Sequence, residues 1–291
     1  MNQNKQLNAV NQSSDKTAGS LTPYMGPRWL VEERDACGVG FIASLGNQAS
    51  HELVACALSA LSCLEHRGGC SADGDSGDGA GLMTAIPWEL FSQWFADCGQ
   101  KMPHPDQIGV GMVFFPQEAE AAALARQIVE KVLTALELTL LGWRVVPVQP
   151  NVLGVQAREH QLQIKQMLVV SQKLRGDELE RQLYIARRRI GKTLDLKSSL
   201  KWADNFYLCS FSNRTIVYKG MVRSAVLGDF YTDLRNPAYK SAFAIYHRRF
   251  STNTLPKRPL TTQSTSSTLW ADLSPRWATC WTSNRIANLS R

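Results

Sequence analysis

Asp35-Ala36-Cys37-Gly38-Val39-Gly40-Phe41-Ile42-Ala43 is where the chain changes character. Upstream lies the charged run Glu32-Glu33-Arg34-Asp35, and downstream of the cysteine the sequence becomes apolar and interleaved with glycine. Val39, Phe41 and Ala43 alternate, which predicts a strand over residues 38–44 with those side chains on one face and the glycines open to close approach by another backbone. A cysteine is ordinarily a small buried hydrophobe. Cleavage after Ala36 would change that, because a free α-amino group, titrating near roughly pH 8, would then sit beside a thiol titrating near about 8.5. One residue would carry both base and nucleophile. Gly38-Val39-Gly40-Phe41-Ile42-Ala43 also fits the pattern G-x-G-x-x-A, but a dinucleotide site needs a strand before it and a helix after it, and here a charged lead-in precedes and a strand-like run follows.

Outward from this stretch, residues 1–22 are rich in Asn, Gln, Ser and Lys and read as disordered, and 23–36 form a lead-in. The chain has 291 residues, 44% of them hydrophobic, enough for a substantial core. No apolar run approaches the roughly 18 residues of a membrane span, and no signal or transit peptide is evident. A cytoplasmic location is expected, or a plastid stroma in a photosynthetic eukaryote. Seven cysteines without a CxxC pair argue against a disulfide framework or a structural zinc site. The net charge of +7 invites a nucleic-acid reading, yet Arg187-Arg188-Arg189 reads as the end of a helix beginning near Asp177, where cations complement the helix dipole. No nucleic-acid-binding spacing accompanies it.

Further along, periodicity predicts a helix over 50–65, a strand over 82–86, a short helix over 88–95 and a strand over 108–115. A long helix over 118–138 carries Leu124, Ile128, Val132 and Leu136 on one side. Strands follow near 143–148 and 166–170, then an antiparallel hairpin whose arms flank Ser212-Asn213-Arg214, and a last strand over 241–246. Strands arrive in groups without a regular βαβ beat, so the expected fold class is a largely antiparallel α+β domain.

Three other stretches stand out. Glu65-His66-Arg67-Gly68-Gly69 reads alone as a helix end, and Arg248-Arg249 as a solvated strand terminus. The Asp73–Asp78 loop resembles a calcium loop, but its carboxylates are wrongly spaced and its twelfth residue is Thr84, so turn chemistry is the expectation. Taken with Asp35-Ala36-Cys37-Gly38-Val39-Gly40-Phe41, with Ser71-Ala72-Asp73 through Gly81, and with Tyr246-His247-Arg248-Arg249-Phe250-Ser251-Thr252-Asn253-Thr254, the chain resembles the N-terminal-nucleophile glutamine amidotransferases. The resemblance is to the glutaminase domain of glutamate synthase, of the bacterial or ferredoxin-dependent kind, and covers residues 24–257 or so.

That resemblance implies a four-layer αββα sandwich, incomplete at its C-terminal side. It implies a pro-segment over 1–36 released between Ala36 and Cys37, a partial amidotransferase domain over 37–257, and a divergent, unstructured tail over 258–291. Cys37 would attack the side-chain amide of glutamine, Arg249 would grip the substrate's α-carboxylate, Thr252 would add a hydroxyl contact, and Arg67 would place positive charge near the thiol. The family's Asn-Gly oxyanion donors have no counterpart, since no glycine follows Gly228. A truncated, inactive remnant with a shifted reading frame is therefore the alternative expectation. No cofactor is expected on this chain. FMN and a 3Fe-4S cluster are implied only for the family's synthase region, and ferredoxin or an NADPH-oxidising subunit only for the full-length enzyme. The implied partner here is glutamine, with neither nucleic acid nor membrane.

Overall fold

A computed structural model describes residues 38–67, 73, 75–77, 79–195 and 205–248. Ala36, Cys37, Arg249 and Thr252, the expected pro-segment over 1–36 and the expected tail over 258–291 lie outside the described residues. The chain runs through β1 (Gly38–Ala43), α1 (His51–Cys63), β2 (Ala80–Ala85), α2 (Trp88–Asp97) and β3 (Ile108–Phe115). Next come α3 (Ala119–Ala135), β4 (Thr139–Val145), α4 (Val155–Glu159), β5 (Gln163–Val170) and α5 (Gly176–Asp195). It continues through β6 (Tyr207–Ser212), β7 (Thr215–Gly220), α6 (Leu227–Phe230) and β8 (Phe243–Arg248).

The strands make two four-stranded sheets, ordered β1-β8-β2-β7 and β4-β5-β3-β6, and every pairing is antiparallel. The α+β class read from the sequence is what forms. One core joins residues of both sheets, among them Leu82, Tyr218, Val110 and Leu168, with α1 and α2. A second core lies on the opposite face of the second sheet, where Val113, Phe115 and Val169 meet α3 and α5. β3 is buried along its whole length because one of these cores covers each of its faces.

The predicted strand at Gly38 forms, but its apolar side faces outward. Val39 is 60% exposed and Phe41 59%, whereas Gly38 is buried. The close approach expected at the glycines is made by the Tyr246 ring, since a Cβ on Gly40 would lie 2.3 Å from its Cζ, and Val39 and Phe41 lie on the other face. Behind β1, Ser50 caps α1 by accepting from the Leu53 amide at 3.2 Å. Leu53, Val54, Ala57 and Leu61 of α1 are buried, and the helix packs on β8 and β1.

Three further expectations need correction. Of the stripe predicted for α3, Ile128 and Leu136 are buried and Val132 packs against the same core, but Leu124 is exposed, and Ala121, Ala122, Ala125, Val129 and Leu133 complete an inner face whose small residues let the helix approach the sheet closely. Arg187-Arg188-Arg189 lies inside α5, which continues to Asp195 because Ile190 and Leu194 extend the buried stripe of Leu179, Leu183 and Ala186. β6 and β7 are not a paired hairpin, for β6 pairs with β3 and β7 with β2. Their connection steps from one sheet to the other and is held by α5. The Glu180 carboxylate accepts from Ser212 Oγ at 2.9 Å and from the Asn213 amide at 2.8 Å.

A buried polar network also ties the sheets together. Arg144 on β4 donates from Nη1 to Gln166 Oε1 and from both Nη atoms to Asp233, each at 2.7 Å. Gln166 Nε2 donates to the Tyr218 hydroxyl at 2.7 Å, and that hydroxyl donates to Asp233 Oδ2 at 2.9 Å. No described helix is long and apolar enough to cross a membrane.

Candidate active site

At one end of the first sheet, Gly38, Arg248, Ala80 and Gly220 stand side by side across all four strands. This row is the last described rung before Cys37 in one direction of the chain and before Arg249 in the other. Arg248 is fully buried. Its Nη1 donates to the carbonyls of Gly79 at 3.2 Å and Val222 at 3.5 Å, and its Nη2 lies 3.7 Å from Glu65 Oε1. Glu65 Oε2 in turn accepts from Ser224 Oγ and, at 3.3 Å, from the Ala225 amide. A buried guanidinium is tolerable only when paired and hydrogen-bonded, and here the partners come from three separate segments.

Those segments include stretches singled out from sequence. Glu65 opens a 3₁₀ turn, Glu65–Arg67, so the main chain of Arg67 ends the turn that Glu65 anchors. Gly79 closes the Asp- and Gly-rich loop. Asp73 Oδ1 in that loop accepts from the amides of Asp75 at 3.1 Å and Ser76 at 2.8 Å, and Oδ2 accepts from Ser76 Oγ at 2.6 Å and the Gln156 amide at 3.2 Å. Ser76 Oγ then accepts from the Ala157 amide at 3.1 Å. The loop thus caps α4, whose own N-cap, Gly154, has no side chain to do so. The Ser76 hydroxyl, ahead of the amides, holds the Asp73 carboxyl down at about 2. This is the turn chemistry expected of the loop.

On its other side the loop meets the turn after β7. A Cβ on Gly77 would lie 2.7 Å from the Arg223 amide nitrogen and 2.8 Å from the Val222 carbonyl, so only glycine admits this contact. Arg223 also pairs with Asp75 at 3.2 Å. A cavity of about 610 Å³ opens beside this junction, lined by Ser76, Gly77, Val222, Phe114, Ile164 and Tyr231 among others.

One residue inward, Val39, His247, Gly81 and Lys219 form the next row. Lys219 is buried and donates to the Tyr207 hydroxyl at 2.5 Å. His247 is buried too, and burial followed by the Lys219 charge pushes its pKa down to about 4. Among the described residues no group of three or more His, Cys, Asp or Glu side chains is disposed to hold a metal ion.

Of the predicted site residues, only Arg67 lies within the described residues, by its main chain. The sequence reading assigned no role to Arg248 or Glu65. Both belong to the quoted motifs, but reading Arg248-Arg249 as a solvated strand end hid the fully buried member of the pair. No sequence signal marked it, because the burial follows from the central place of β8 in the sheet, which gives its last residues a neighbour on either side.

Residues 37–264 match the glutamine amidotransferases class-II family, and the chain belongs to that family. Its relatives include a ferredoxin-dependent glutamate synthase 2 from Synechocystis, 59% identical over 249 residues that make up 85% of this chain and 16% of the relative. The enzyme of Pyropia yezoensis is 49% identical over 86% of this chain and 16% of its own length, and the chloroplastic one of rice 51% over 79% and 14%. The chain is homologous to the glutamine amidotransferase portion of these synthases and spans about a sixth of the first relative's length.

Proposed function

We propose that the chain is a glutaminase whose nucleophile is Cys37, freed as an N-terminal residue by cleavage of the Ala36-Cys37 bond. The observation that carries this reading is the Gly38-Arg248 rung. Cys37 directly precedes Gly38 in sequence and Arg249 directly follows Arg248, so the two paired ends of this rung are the chain neighbours of the nucleophile and of the carboxylate-gripping arginine. The family match, which begins at residue 37, supports it as well.

In this reading the thiolate of Cys37 attacks the amide carbon of glutamine, with its own α-amine as base at a distance fixed by covalent geometry. The proton passes to the leaving nitrogen, ammonia departs and a thioester remains. Water then releases glutamate and restores the thiol. Arg249 grips the α-carboxylate through two parallel hydrogen bonds, Thr252 adds a hydroxyl contact, and Arg67 contributes positive charge that favours thiolate. The two sheets with their flanking helices are then the layers of an αββα sandwich. Within a full-length synthase of this kind, the ammonia would serve reductive synthesis of glutamate from 2-oxoglutarate, with ferredoxin as electron donor and FMN and a 3Fe-4S cluster held outside the amidotransferase portion. The names of the relatives support the ferredoxin assignment.

Ammonia release from glutamine tests the reading. It is expected from the wild-type chain and should fall at least about a thousandfold in Cys37→Ala, as it does when a covalent nucleophile is removed. An unchanged rate in Cys37→Ala refutes the assignment. A second reading, a remnant without turnover, is favoured by the lack of any glycine, and hence of an Asn-Gly pair, after Gly228. A wild-type chain that releases no ammonia decides for it.

A further inference from the structure

We propose that Arg248 and Glu65 are the positioning pair of this site, a buried guanidinium and carboxylate that fix where the attacking and substrate-gripping residues leave the fold. The proposal rests on the glutaminase reading. Arg248 is held in two ways at once. Its main chain lies between Gly38 and Ala80 in the sheet, so it cannot shift without disturbing two ladders. Its side chain draws together the Gly79 carbonyl ahead of β2, the Val222 carbonyl after β7 and the Glu65 carboxylate after α1. A planar fork can serve three directions together, which an ammonium on a flexible stem cannot reproduce.

Glu65 extends the same constraint. Its Oε2 is held by Ser224 and Ala225, and it begins the turn that ends at Arg67. The main-chain origins of Cys37, Arg67 and Arg249 are therefore tied to one couple: through the ladder to Gly38, through the 3₁₀ turn, and through the next peptide unit. Arg248 is fully buried and acts through these neighbours rather than on substrate. Small displacements at such a point are costly, because misplacing reacting groups by about 1 Å can lower a rate by about a hundredfold.

Two alkylating probes applied to the processed full chain separate positioning from mere folding. A diazoketone analogue of glutamine must be gripped by its carboxylate before Cys37 bonds to its terminal carbon and dinitrogen leaves. Iodoacetamide needs only an accessible thiolate. In Arg248→Lys, diazoketone labelling efficiency at Cys37 is expected to fall roughly tenfold to a hundredfold, while the iodoacetamide rate stays within about twofold and the thermal transition is retained. Glu65→Gln should show the same split with a smaller drop, and the double variant should lose less than the product of the two. If Arg248→Lys loses its thermal transition, Glu65→Gln carries the test, since that side chain is about a third exposed and keeps its shape. Equal labelling of wild type and variant by the diazoketone, or a fall in both rates in step with the unfolded fraction, overturns the proposal. A wild-type chain that the diazoketone does not label overturns the glutaminase reading and this pair with it.

Discussion

His247 shows how one residue's surroundings set a measurable property of the whole. Its buried imidazole shares a row with Lys219, and its pKa falls from the usual 6.5 to about 4. Between those values the unfolded chain binds a proton that the native state excludes, so stability drops as pH falls through that window. Over the whole window the loss is on the order of 3 kcal/mol. His247→Gln should flatten that part of the profile, read as the denaturant midpoint at pH 7 and at pH 4, and a variant that loses as much stability as wild type contradicts the assignment. At the same scale, Gly40 marks a limit of sequence reading. Alternation located the strand, but only the fold shows that the Tyr246 ring, two hundred residues away in sequence, makes the close approach at Gly40.

Among elements, the least legible features were those set by partners distant in sequence. The composition of β6 and β7 suits a hairpin, yet each is wholly buried and completes a different sheet, and the crossing depends on Glu180 of α5. β3, by contrast, was legible to the residue, because eight consecutive apolar and glycine positions have few other uses. The Arg144-Asp233 pair joins β4 and β5 to β7 through Gln166 and Tyr218, with every bond buried. Asp233→Ala would strand a buried cation and should cost about 3–5 kcal/mol in urea unfolding. Replacing both charges, as in Arg144→Met with Asp233→Leu, should recover much of that loss. A single-variant cost below about 1 kcal/mol would show that the network is solvated and does not tie the sheets.

For the molecule as a whole, the sequence held the parts of the candidate site but not their arrangement. The stretch from residue 65 to 79 is far from residue 248 along the chain, and the antiparallel pairing of β2 with β8 brings the two to one end of one sheet. The motifs of the candidate site were legible because each is unusual where it stands: Cys37 at a composition break, a loop dense in Asp and Gly, paired arginines at a strand end. That Arg248 joins them was not legible, because burial of a charge depends on the tertiary fold. Whether Cys37 works as an N-terminal nucleophile is decided by the intact mass of the purified chain, read together with ammonia released on incubation with glutamine. The expected product is a chain that has lost Met1 to Ala36, begins at Cys37 and releases ammonia. A chain that hydrolyses glutamine while retaining those residues would contradict it.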